Sequence, residues 1–315
     1  MIRGFARLRS VCLASFVIAT GTSSPALAQS EFWGDVRVPG LRAYRREVEE
    51  ARRLLGRNDL ANAATFAARA TSRLPARPEA HVVHGQVLLA SGRAADATSA
   101  FRRAFDADRR ALDEPALAQA VATTAARHGD PALALAVTER AVARFPPSNA
   151  RADLQRILAD LLMANATDRL GAALAHYRDA LRTLPRDPRV RCGLAVALAR
   201  AGHEAELAQI LRGARTLSDG QLVNMGLSEA EQAARRAVRA MDPDATPMPG
   251  ADTPTTLWER ASSHGGPWAT RDREIARTIA PRFTRAAEPT APPVRPGRPT
   301  DRRAPTPPRP RPTEW

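Results

Sequence analysis

Residues 78–111 read PEAHVVHGQVLLASGRAADATSAFRRAFDADRRA, a stretch dense in alanine and arginine and nearly free of β-branched runs. Ser91-Gly92 interrupts it midway, so it reads as two short helices joined by a tight turn, with Gly92 supplying the left-handed residue that ends the first. One period upstream the same pattern recurs, with Asn58-Asp59 at the turn, Ala63 and Ala70 beyond it, and Pro75 where the second helix must stop. Asn58 to Gly92, Ala63 to Ala97 and Ala70 to Ala104 are each 34 residues apart.

Downstream, a third copy carries Gly129-Asp130, Ala134, Ala141 and Pro146 after a three-residue insertion. A fourth carries Ala173, Tyr177, Ala180 and Pro185 after a five-residue insertion near Ser148 or in the turn at 165–168. The fifth has Gly202 at its turn and Ala214 34 residues after Ala180, but bulky Leu207 at a small-residue place. Chance recurrence of alanine in an ordinary bundle does not hold several offsets at one period.

These residues resemble the tetratricopeptide repeat (TPR). The resemblance spans residues 44–219 and implies an all-α chain, an α-solenoid of about five TPR-like helical hairpins. It places Gly85 and Ala97 where the helices of one hairpin approach most closely, and Phe101 and Ala104 where the second helix meets the next hairpin. It also implies that the first helices line a concave face that binds a protein or peptide.

Around this array the composition changes. Arg3, Arg7 and Arg9 precede a short apolar stretch, Val11 to Ala19, and the small-x-small triplet Ala26-Leu27-Ala28. Residues 1–28 are therefore expected to be a signal peptide and 29–43 a lead-in, with Phe32, Trp33 and Tyr44 covering the first hairpin, and the protein is expected to be exported, periplasmic or secreted, from a bacterium. Residues 220–241 are expected to be a capping helix opened by a capping box at Ser228 to Glu231. Residues 242–280 are expected to be a linker with a short helix near Trp258 and Trp268, and 281–315 a disordered basic tail with 11 prolines, eight arginines and three acids.

All 47 basic residues of the 315 are arginine, against 33 acidic ones, and of the two cysteines only Cys192 follows the leader. No intramolecular disulfide is expected, and packing must hold the chain. Two histidines, His81 and His84, are three apart on one helix with no third ligand nearby, so they read as packing residues. His264-Gly265-Gly266 has no Gly-x-Ser-x-Gly partner and reads as a turn; Cys192 reads as a small buried thiol. Asn165-Ala166-Thr167 fits the glycosylation triplet, which carries little meaning in a bacterium.

The expected protein is thus a non-enzymatic scaffold without cofactor or metal. Its candidate partner-binding residues are Arg45 and Arg52 on the first hairpin, Gln86 on the second, Arg127 on the third, and Arg189 and Arg200 on the fifth. Arginine forks read carboxylates bidentately, so such a groove suits an acidic or C-terminal-carboxylate peptide. The Lys and Asn clamp of chaperone-binding relatives is missing, with Val48, Val82 and Gln86 at the matching inward places. The alternative is an envelope tether whose basic tail holds an anionic polymer or membrane surface, with the repeats as spacer. No nucleic acid is expected, because residues 284–314 lack stacking aromatics.

Overall fold

Asn58, Gly92, Gly129 and Gly202, the turn residues of the repeat, all adopt positive φ, at 61°, 76°, 83° and 77°. Each ends a first helix and reverses the chain into a second, which is why the turn is specified at the period of the hairpin. The computed structural model describes residues 38–165, 167–214, 216–244 and 252–283, and every regular element among them is an α-helix. The expected signal peptide, Phe32, Trp33, Ala166 of the glycosylation triplet and the tail from residue 284 lie outside the described residues.

The chain divides into two compact units after Leu112. Unit 1 contains α1 (Leu41–Gly56), α2 (Leu60–Arg73), α3 (Pro78–Ala90) and α4 (Ala94–Ala107). Its core joins Tyr44, Val48, Ala51 and Leu54 of α1 to Ala63, Ala67 and Ala70 of α2 and Val83 and Val87 of α3. Small residues allow close approach: a Cβ on Gly85 would lie 2.5 Å from the Phe101 ring. The Tyr44 hydroxyl donates to Glu79 at 2.9 Å and accepts from the Ala80 N–H at 3.1 Å, tying α1 to the start of α3.

Unit 2 begins with three hairpins: α5 (Pro115–Arg127) and α6 (Pro131–Arg144), α7 (Asn149–Asn165) and α8 (Leu170–Thr183), α9 (Pro188–Ala201) and α10 (Glu204–Leu211). Five further helices follow: α11 (Asp219–Asn224), α12 (Glu229–Ala240), α13 (Pro254–Ser263), α14 (Ala269–Thr278) and α15 (Ala280–Phe283). The three-residue insertion falls in 108–114, which replaces the shorter link at 74–77. The five-residue insertion is mostly an added helical turn. At 17 residues α7 exceeds the 13-residue α5, and the link between α7 and α8 is one residue longer than that between α5 and α6.

The C-terminal part differs from a cap followed by a linker. Ser228 Oγ accepts from the Glu231 N–H at 3.3 Å, but the Glu231 carboxylate turns to Arg200 instead of closing the box. The complete capping box is at Ser218 and Gln221, opening α11. Beyond Asp242, helix α13 packs against α12, and α14 packs against α13 and α9, with Trp258 fully buried and Trp268 5% exposed. Thr253 caps α13 and Pro254 occupies its first turn, so the segment has its own helix start. No helix among the described residues is long and apolar enough to cross a membrane.

Candidate partner-binding face

The repeat register places Arg45 and Arg52 of α1 in the same positions as Glu79 and Gln86 of α3, one period on. Arg45 is exposed and makes no ion pair among the described residues. Arg52 is exposed and donates to Glu49 at 2.7 Å, one helical turn back. Gln86 is half-buried between half-buried Val82 and Leu89, whereas Val48, expected to face inward, is 4% exposed within the core. Unit 1 therefore offers an apolar floor with amide and guanidinium groups along it.

Unit 2 treats the same positions differently. Leu154 to Met163 of α7 and Cys192 to Arg200 of α9 are buried without a break, which a first helix with one open face cannot be. The covering elements are the C-terminal helices. Running opposite to α9, α12 presents Glu231 to Arg200 and Arg235 to the Arg189 carbonyl. The Trp268 indole donates to the Met163 carbonyl at 2.6 Å, and Arg271 donates to the Arg200 carbonyl at 2.9 Å. The loop after α11 lies against α5, where Arg127 leaves no room for a Cβ on Gly226.

These contacts correct part of the expected groove. Arg200 has no exposed side-chain surface; it pairs with Asp272 through two bonds of 2.9 Å, with Glu231 at 2.5 Å, and lies over the Trp268 ring at 4.9 Å. Burial alone would lower its pKa, but Glu231 and Asp272 outweigh that and raise it, so it is a fixed internal cation. Arg189 is half-buried and committed to Asp187 at 2.6 Å and Asp153 at 3.1 Å. Arg127 remains exposed at the end of α5.

A second buried cluster, which no local sequence pattern marks, centres on Asp160 of α7. It accepts from Arg156 at 2.8 Å, from Arg235 at 2.5 Å and from the Tyr177 hydroxyl, joining α7, α8 and α12. Two partly or fully buried guanidinium groups sharing one carboxylate fix the register of α12, since any slip would leave a charge unpaired in the interior. The nearest sequence signal was Tyr177 at the aromatic place of the fourth copy. Its partners are 17 and 58 residues away, beyond the reach of local pattern.

The remaining candidates resolve into structural roles. Burial pushes the Cys192 thiol up to about 11, and it donates to the Arg235 carbonyl. His81 bonds the Pro75 carbonyl, and His84 is held below the ordinary imidazole value by burial and by its neighbour His81. His264 faces Glu229 at 3.2 Å, while Ser228 Oγ is taken by the start of α12, so the His-Gly-Gly turn has no nucleophile bonded to its histidine. No group of three or more His, Cys, Asp or Glu side chains suited to a metal occurs among the described residues.

Helical hairpins at this spacing, with left-handed turns and small-residue contacts, give the chain an all-α fold of TPR-like helical hairpins. No protein-family model and no curated protein matches it. Solved structures do. It is similar to YrrB, described as a TPR protein with an unusual peptide-binding site, at 21% identity and a TM-score of 0.46 over 54% of this chain and 84% of that one. It is also similar to Pseudomonas aeruginosa PilF, at 14% identity and a TM-score of 0.41 over 71% and 89%. A third likeness is a tetratricopeptide repeat protein from Parabacteroides merdae, at 13% identity and a TM-score of 0.42 over 75% and 99%.

Proposed function

We propose that the chain is an exported, non-enzymatic scaffold that binds a protein or peptide partner on the first-helix face of unit 1. The supporting observation is the contrast between the units. The face of α7 and α9 is filled by the chain's own α12 and α14, whereas the matching residues of α1 and α3 remain accessible. Arg45 brings an unpaired cation to that face, and Gln86 brings amide donors and acceptors beside Val82 and Leu89. The chemistry suits an acidic segment with one or two apolar side chains.

Binding of acidic, neutral and basic peptide pools to the immobilised full chain tests this. Acidic peptides should be retained, and Arg45→Glu or Gln86→Ala should weaken them about tenfold, the worth of one charge-assisted hydrogen bond. Retention that ignores peptide charge, or that survives both substitutions, would remove the proposal. Arg182→Ala, on the exposed end of α8, serves as the neutral control.

A further inference from the structure

We propose that a second site, on the second-helix side of unit 1, takes an alkylammonium group. An open cavity of about 520 Å³ is lined by Thr71, Ser72 and Pro75 at the end of α2, His81 of α3, and Arg103 and Asp106 of α4. Its donors and acceptors do not balance. Thr71 Oγ1 and Ser72 Oγ both donate to the Ala68 carbonyl, at 2.8 and 2.9 Å, so the cavity meets only their lone pairs.

His81 adds a third acceptor. It is 6% exposed, and its Nε2 lies 2.8 Å from the Pro75 carbonyl. A carbonyl only accepts, so Nε2 carries the hydrogen; in the neutral ring Nδ1 keeps its lone pair and has no partner among the described residues. Asp106 is a fourth acceptor and the charged one. It is exposed and makes no ion pair among the described residues, even with Arg103 three residues before it. Arg103 is the cavity's one cationic donor.

A carboxylate or phosphate entering here would gain one guanidinium and meet a row of lone pairs. A guanidinium would find no single carboxylate-like edge for its planar fork, because the acceptors come from three helices. An ammonium has three rotatable N–H donors and no lone pair, and its charge answers Asp106. The chain contains no lysine, so its own side chains supply no such group. The donor is either a lysine of another protein or a free aliphatic diamine.

The test uses the full chain with labelled histidine, the His81 signals assigned by loss in His81→Gln. A single-lysine peptide with blocked ends, cadaverine and propionate are titrated separately. Saturable movement of the His81 ring signals with either amine, none with propionate, and an affinity about tenfold lower in Asp106→Asn supports the site. Response to the peptide alone identifies a protein lysine, and response to cadaverine alone a small amine. No saturation with either amine, an equal response to propionate, or full affinity in Asp106→Asn overturns it. Asp106 is exposed, so Asp106→Asn retains the fold, and its unchanged melting temperature verifies that.

Discussion

Gly85 leaves the Phe101 ring no room to move: a methyl placed there would come within 2.5 Å of an aromatic carbon. Gly85→Ala is therefore expected to cost about 1–3 kcal/mol, read as a lower thermal midpoint, with part of the loss recovered when Phe101→Leu is added. Recovery to less than the single-variant value would show that the contact is not the cause. Both residues were legible, because the period gives each a place. Arg200 was not. The repeat register marked it as an inward-facing arginine, while its partners Glu231 and Asp272 are 31 and 72 residues away in a segment that reads as cap and linker. Arg200→Ala leaves two buried carboxylates without their cation and should cost about 3–5 kcal/mol. A midpoint within a degree or two of wild type would contradict the burial described above.

Helices α13 and α14 have the composition of a connector and the burial of a core. The signals that could have found them are a Thr-Pro start at 253–254 and two tryptophans ten residues apart in an aromatic-poor chain. A chain ending at Met241 would strip Asp272 and Trp268 from Arg200 and Trp258 from Met241. That truncation is expected to broaden and lower the thermal transition, whereas one ending at residue 283 should match the full chain.

Ion pairs between helices also set the response to acid. Arg73 holds Glu47 below the usual carboxylate range across α1 and α2, and Arg178 does the same for Glu206 across α8 and α10. Asp187 is lowered too, burial raising it less than the Arg189 bonds lower it. Stability from such groups is complete above the ordinary carboxylate pKa and is lost as pH falls through the lowered values. Burial holds His84 and His176 below the ordinary imidazole value, so the unfolded chain protonates first and the same sign applies from about pH 6.5 downward. Melting midpoints followed by circular dichroism should be level between about pH 7 and 8, fall gently below about 6.5 and fall steeply below about 4. A midpoint that rises on acidification would contradict these assignments.

At the scale of the molecule, the boundary between the two units coincides with the long link at 108–114, where Arg109 and Arg110 are exposed. Brief trypsin treatment should cut there before it cuts any of the arginines within helices, and mass spectrometry of the first fragments would locate the site. Early cleavage inside α7 or α9 instead would be inconsistent with their burial. The hairpin count and spacing were readable because local turn chemistry repeats. The filling of unit 2 by its own C-terminal helices was not, because it depends on pairs between distant elements, such as Trp268 with Met163, 105 residues apart.

That filling has a consequence for competition. A ligand joined to its own groove by a short stretch of chain is present at an effective concentration on the order of millimolar. A free segment making the same contacts at micromolar concentration would displace it in about one molecule in a thousand. Unit 2 thus refuses look-alike helices without any steric gate, by proximity alone.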